Sequence, residues 1–530
     1  MRKSLWSLIA SSVLALAPAV LGQEEQARKD TLVVYQSTQV GTHQAFLLRE
    51  VKKRYGNSAE YTELSPNFPN EIISKEKQEE LIKNNGKPEQ VLILADYRSF
   101  TPESVVTANK WIRNLDSDPF PDARIAFFPS HPKYASELTA LIYRQHYDTS
   151  KALTRFDDQV ISFAKEGIDI SSNKPTIGEK KNGVIEVKST KDQSRAYAEV
   201  ANSGQVDYIA RFGHSGPGFW QSTDQMNGFW LVGMDRETLL INPGTKALKS
   251  RKVGEKFVGE LDLEELIRRD KQKPFQRIGS LNPKILDNWA CCSSILPPEQ
   301  FQGREFSTVI SNMAGNNAFV WGYEKEVTYV PQAGAHQLLF WGTNGANSFT
   351  ESLLGSQVFV TAEREKLERS GQVGLDCEIL KSDEFSGMLF GLPDNLTRAK
   401  TSSRMYDQDL DQKRRDGITT TKLDLELKKS TDRNDYRMRM WSPPVVLLPQ
   451  EINPTSINQL KLTIDGIDYQ LPTVNRGTYS TAKLPDNLSG EITLIDNAIV
   501  MGIAPIYKDG KSIYREIKED QKISITFDSK

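Results

Sequence analysis

Two short stretches bring together the residue types of covalent acyl transfer. Residues 206–220 read VDYIARFGHSGPGFW and residues 285–294 read ILDNWACCSS. Each reads as a short apolar strand running into small residues. His214 stands in the first turn, Cys291 and Cys292 in the second. A thiol attacks a carbonyl when a neighbouring imidazole takes its proton, so these are the parts of a cysteine nucleophile with a histidine base. Gly213, Gly216 and Gly218 surround the histidine. Glycines let backbone approach a ligand closely and let N–H groups face an oxyanion. Cys291 precedes Ser293-Ser294, where a helix start would lower its pKa. Its own N–H would then complete an oxyanion hole. The plainer alternative is a tight turn in one stretch and a structural or disulfide-bonded cysteine in the other.

Few competing groups exist. The chain has five histidines: His43, His131, His146, His214 and His336. His43 and His146 fall in predicted helices, and His131, after a strand at 124–128, is the rival base. Cys291, Cys292 and Cys377 make an odd count, which leaves at least one free thiol. A bridge from Cys377 to either of the other two stays open, as does which of the adjacent cysteines faces the cleft. The histidines and cysteines lack zinc-site spacing such as C-x-x-C, so no metal and no organic cofactor is expected. A structural calcium ion leaves no mark in the sequence.

The elements that must position these residues read as α/β. Continuous apolar strands at 32–35 (LVVY), 91–95 (VLILA) and 124–128 alternate with amphipathic helices at 42–55, 75–83, 101–115 and 135–147. Thr101-Pro102 marks a helix start, with the threonine as cap and the proline in the first turn. Val105, Ala108, Ile112 and Leu115 form that helix's apolar face. This alternation indicates a mostly parallel sheet flanked by helices, whose ligand crevice lies beyond the carboxyl ends of the strands. A strand at 159–164 and helices at 193–202, 262–269, 306–313 and 345–360 are expected, with strands at 318–322 and 388–391. The interval 221–284 reads as a charged insertion.

The ends of the chain differ in character. Arg2 and Lys3 precede an apolar run at 5–20 and a small-residue cleavage candidate at Gly22, the pattern of a secretory signal peptide over 1–22. The run falls short of the roughly 20 residues a membrane span needs. An exported chain is expected, secreted, periplasmic or at the cell surface, with peripheral attachment open and no transmembrane segment. The 67 basic and 69 acidic residues are interspersed and give a net charge of −2, which points away from nucleic acid. The expected divisions are an N-terminal α/β subdomain (23–150), a second α/β subdomain (151–400), a charged linker (401–450) and a β-domain (451–530). From 457 onward strand patterns alternate, with Asp465-Gly466 and Asp509-Gly510 as hairpin turns. An antiparallel, Ig-like β-sandwich fits that length.

The joint pattern resembles the gingipain family of secreted cysteine peptidases, which have a caspase-like fold. That family sets a histidine in a G-H-G-S-x-x-x-W context and a nucleophile in an A-C context. Here Gly213-His214-Ser215-Gly216 precedes Trp220, and Ala290-Cys291 follows a strand. VLILAD at 91–96, LDSDPFPDARIAFFP at 115–129 and FGLP at 390–393 resemble further family segments. The resemblance runs from about residue 85 to 400 and more loosely to the end. It implies a caspase-like catalytic subdomain at 151–400, protein or peptide substrates, and Cys291 rather than Cys292 as nucleophile. It also implies oxyanion binding by the N–H groups of Cys291 and of Ser215 or Gly216, and a carboxylate to orient His214, for which Glu166 is the nearest match. Ser215 departs from the family's glycine. That departure and the paired cysteines keep a non-catalytic scaffold or binding module in view, and transpeptidation by the same dyad is a third reading.

Overall fold

A computed structural model describes residues 30–143, 262–278, 330–371, 380–427, 444–501 and 521–530 with short interruptions, and elsewhere the backbone of strands together with Leu239 and Ile241. The expected signal peptide, the strand at 159–164 and the helices at 193–202 and 306–313 lie outside the described residues.

The first elements are β1 (Thr31–Tyr35), α1 (His43–Tyr55), β2 (Ala59–Glu63), α2 (Lys75–Asn85), β3 (Gln90–Asp96), α3 (Pro102–Trp111), β4 (Arg124–Ser130) and α4 (Ala135–Tyr143). β1 pairs in parallel with β2 on one side and β3 on the other, and β3 pairs in parallel with β4. β1, β3 and β4 are buried along nearly their whole length, as parallel strands covered on both faces must be. Local signals fix the helix starts. The Thr42 hydroxyl accepts from the Ala45 N–H at the start of α1. Thr101 and Ser104 satisfy each other's N–H groups at the start of α3. α3 closes at Trp111, short of the expected residue 115, although Leu115 is still buried.

There follow β5 (Ala152–Phe156), β6 (Thr176–Lys181), β7 (Val184–Lys188), β8 (Val206–Gly216), β9 (Phe219–Gln221), β10 (Trp230–Met234), β11 (Glu237–Ile241), β12 (Leu248–Val253) and β13 (Lys256–Leu261). Then come α5 (Leu263–Gln272), β14 (Gln276–Ile278), β15 (Ile285–Ala290), β16 (Phe319–Tyr323), α6 (Val330–Trp341), α7 (Phe349–Arg369) and β17 (Gly387–Phe390). One sheet runs in the order β14-β11-β10-β9-β8-β15-β16-β17-β4-β3-β1-β2, with β5 also paired to β8. β8, β15 and β16 are mutually parallel. β17 is the seam between the halves, antiparallel to β16 and parallel to β4.

Two expectations are corrected in this part of the chain. The interval 221–284 is more than a charged insertion: β10, β11 and β14 extend the main sheet as an antiparallel wing. The apolar WLVGM and ETLLI strands drive this, and Leu239 and Ile241 are fully buried. The second correction is α6, a helix not expected from the pattern. Its Pro331 falls in the first turn, where a missing N–H costs nothing. α7 is also longer than expected and carries a reciprocal cap between Ser348 and Glu351.

The C-terminal part is a nine-stranded antiparallel sheet. Its strands run in the order Tyr406–Arg415, Ile418–Leu427, Gln521–Ser529, Gln459–Ile464, Ile467–Asn475, Ser480–Lys483, Glu491–Ile495, Ala498–Met501 and Val445–Leu447. Residues 406–427, expected as charged linker, are instead a hairpin of this sheet. Thr419, Thr421, Leu423 and Leu425 point inward while Thr420 and Lys422 face water. Charge on the wet face masked the period of two. Asp416-Gly417 and Asp465-Gly466 turn their hairpins with positive φ at both positions, which favours Asp-Gly.

A shared core joins the two parts. Phe120, Leu339, Leu354, Val358, Val445, Tyr479, Ile495 and Val500 pack together. α7 lies across this junction, touching β4 and the strand Val445–Leu447. Gly355 permits the approach, since a Cβ there would stand 2.7 Å from Leu339 Cδ1 and 3.8 Å from Val445 Cβ. No helix among the described residues is long and apolar enough to cross a membrane.

Candidate active site

The strands β8 and β15 run side by side in parallel, and their ladder ends where β15 does. Tyr208 pairs with Ile285, and the register holds without a shift to Gly213 opposite Ala290. The next residue along β8 is His214; the next after β15 is Cys291. Cys291, Cys292, Cys377 and Glu166 lie outside the described residues. His214, Ser215 and Gly216 belong to β8 itself, which corrects the expectation that the strand ends before the histidine. They pair with Gln221, Trp220 and Phe219 on β9. The ladder thus continues past His214 as far as Gly216 opposite Phe219.

β8 outgrows its neighbour on that side. β5 pairs with it only as far as Phe156 opposite Arg211, three residues before the histidine. From His214 on, β9 takes over that edge. The histidine therefore stands where the partner strand changes, at the carboxyl end of a parallel ladder. Open parallel sheets bind ligands at such strand ends.

The seam that ties this edge to the N-terminal half is polar and buried. Glu384, fully buried, lies 3.0 Å from Arg113 Nε and accepts from Arg364 Nε at 2.6 Å. The Thr361 hydroxyl donates to it at 2.9 Å. Burial lowers the pKa of Arg113 against the pull of Glu384. Asn109 donates to the carbonyls of Phe385 and Gly387 and accepts from Gln357. β17 thus starts from a point held by α3 and α7, and Phe390 beyond it packs near Phe100 and Phe127. None of the polar groups of this seam was singled out from the sequence. The partners of Asn109 and Arg113 across it lie more than 240 positions away, and no local spacing signals such contacts.

The rival base, His131, follows β4 four strands away from β8, roughly 19 Å at about 4.8 Å per strand. It is 1% exposed, with ring centroids 4.4 Å from Tyr97 and 4.9 Å from Tyr134. Its Nδ1 accepts from the Lys133 N–H at 3.1 Å. Burial, reinforced by His43, Arg98 and Lys133, pulls its pKa down to about 4. It is a neutral structural ring at physiological pH. His336 is likewise buried, between Phe340 and Phe349.

Among the described residues, one set of side chains is close enough to share a cation: Asp116, Asp122 and Asp496, with donor atoms within 4.8 Å of one another. The Lys87 ammonium already bonds all three.

No protein-family model matches the chain, and no curated protein matches it. Among the solved structures, several chains are similar in part. One, described as the structure of a protease, is 8% identical, with a TM-score of 0.36 over 90% of this chain and 97% of that one. Another, from the Saccharomyces cerevisiae separase–securin complex, is 11% identical, with a TM-score of 0.28 over 57% of this chain and 15% of that one.

Proposed function

We propose that this protein is an exported cysteine endopeptidase in which Cys291 attacks the scissile carbonyl and His214 serves as its base. The observation that carries the reading is the unbroken parallel register ending at Gly213 opposite Ala290. The two chemistry-bearing residues are the next positions along adjacent strands. His214 takes the thiol proton as the sulfur attacks, then returns a proton to the leaving amine as the peptide C–N bond breaks. Water releases the acyl group from the thioester and regenerates the thiol. The N–H groups of Cys291 and of Ser215 or Gly216 hold the oxyanion, each contributing on the order of 2.7–4 kcal/mol in comparable sites. Glu166 orients the imidazole. The α/β part is caspase-like, and the C-terminal sheet is an Ig-like support for it. Export rests on the Arg2-Lys3 and apolar 5–20 pattern, and a peripheral association with the cell surface fits the same reading.

Alkylation separates this reading from that of a non-catalytic scaffold. The mature protein is treated with iodoacetamide or a peptidyl acyloxymethyl ketone and the adduct is mapped. Fast labelling of Cys291 that disappears in His214→Ala supports the peptidase. Slow labelling indifferent to His214, with no cleavage across a peptide library, sinks it. Product analysis with an added amine distinguishes hydrolysis from transpeptidation.

A further inference from the structure

Away from the dyad, the α/β part and the C-terminal sheet meet through one loop. Residues 116–122, between α3 and β4, do two things there. Phe120 inserts into the shared core, its ring 5.3 Å from that of Tyr479 and nearly perpendicular to it. The aspartates on either side surround Lys87, which lies just before β3. Lys87 Nζ donates to Asp116 at 2.9 Å, to Asp122 at 2.9 Å, and to Asp496 across the junction. Asp496 sits in the turn between the strands Glu491–Ile495 and Ala498–Met501 of the C-terminal sheet. The Lys87 bond to Asp496 is therefore a cross-junction ionic tie beside an apolar plug.

The charges do not balance. Asp116, Asp118, Asp122 and Asp496 crowd one ammonium. Arg113, just past the end of α3, also acts on Asp122, but it is engaged by Glu384. The Asp122 side chain is 2% exposed, and its Oδ2 has no hydrogen-bond partner while Oδ1 meets Lys87. Asp118 accepts from the Phe120 N–H and is itself buried. Carboxylates this close and this dry cannot all ionise beside a single cation. A proton on Asp122 relieves the repulsion and suits an oxygen that lacks a donor.

We propose that the Lys87–aspartate cage is a proton-held latch that seats the C-terminal sheet on the α/β part, closing when the cage holds a proton and loosening when it gives the proton up. The pKa directions agree. Burial, with Asp116 next, raises Asp118 to about 7; burial, opposed by Lys87 and reinforced by Asp116 and Asp118, raises Asp122 to about 8. In the open state these groups are solvated and titrate near the usual aspartate value of about 4. The closed state then binds a proton that the open state releases. Closure is favoured most below the open-state value, weakens as pH rises toward that of the closed state, and levels off above it. Phe120 remains as the pH-independent part of the joint.

Hydrogen exchange on the full mature protein tests the latch, with protection factors corrected for intrinsic rates and EDTA present throughout. Between pH 5.5 and 8, protection at 116–124 and 496–498 falls as pH rises, by up to about tenfold per pH unit for each linked proton. Protection in β3, next to Lys87, serves as the control. Asp122→Asn flattens the slope, because the amide is uncharged at every pH. Asp496→Ala lowers protection at 116–122 at all pH values, because Lys87 loses its partner across the junction. Equal slopes in latch and control segments, or a slope unchanged by Asp122→Asn, overturn the proposal. Should Asp122→Asn not fold, unaltered protection in Asp496→Ala overturns it independently.

Discussion

Two strands of the main sheet bring a histidine to their carboxyl edge, and the settings of the two differ. β4 delivers His131 into a closed aromatic bracket, where its Nδ1 already accepts from the Lys133 backbone. β8 carries His214 onward into a glycine-bounded hairpin, level with the end of β15. Both positions satisfy the rule that ligands gather at strand ends. The difference lies in what stands beside each strand. At β4 the neighbour is β3, whose end supplies Asp96, with Tyr97 just beyond it. At β8 the neighbour is β15, followed at once by Cys291. Fold places a side chain at an edge; the adjacent strand decides whether that edge holds a structural ring or, as proposed for β8 and β15, a reacting pair.

The most severe way to break the comparison is to remove the dyad. His214→Ala and Cys291→Ala should each lower kcat/KM by about 10⁴-fold or more, since members of a coupled nucleophile–base unit fail together. The double variant should lose little beyond either single one. Independent, multiplying losses would mean that the two residues do not work as a pair.

Next in size is the seam. Glu384→Ala leaves Arg113 buried without its carboxylate, and such a change typically costs about 3–5 kcal/mol. Chemical denaturation should register that loss. Because β17 links β16 to β4, activity should fall only in proportion to the folded fraction. A stability loss below about 1 kcal/mol would show that Arg113's bonds to the backbone carbonyls of Asn109 and Glu384 suffice to hold it.

How much of this was legible in the sequence follows the range of the interactions. Capped helices and buried strands announced themselves: Thr42, Thr101-Pro102 and the VLILA run each carry a local signal. So did the strand bearing His214, though its extension through Gly216 depends on pairing with β9, which glycine content alone does not signal. The hairpin at 406–427 was hidden because charges fill its wet face, and α6 because Pro331 and Gly334 interrupt its pattern. Cages such as that of Lys87 join residues 409 positions apart, beyond any window of periodicity. The register of β8 with β15 belongs to the same class: each strand is readable alone, their alignment only in the fold.

The smallest expected effect sharpens the contrast most. His131→Phe keeps an aromatic ring between Tyr97 and Tyr134 and removes the titrating group. It also removes the acceptor for the Lys133 N–H, a loss of about 1 kcal/mol for one hydrogen bond. Peptidase activity should stay within about twofold of the parent once folded fractions are matched, because the ring lies roughly 19 Å from β8. Stability should respond through pH. His131 is neutral in the fold down to about pH 4, whereas in the unfolded chain it takes a proton below about 6.5. The unfolded state thus binds more protons between those values. Its contribution to stability is complete above about 6.5 and is lost as pH falls toward 4, with a slope of at most about 1.4 kcal/mol per unit. His131→Phe should flatten that acid limb, while His214→Ala leaves it in place. A flattened limb in His214→Ala, or an activity loss in His131→Phe matching that of the dyad variants, would exchange the roles assigned to the two strand ends.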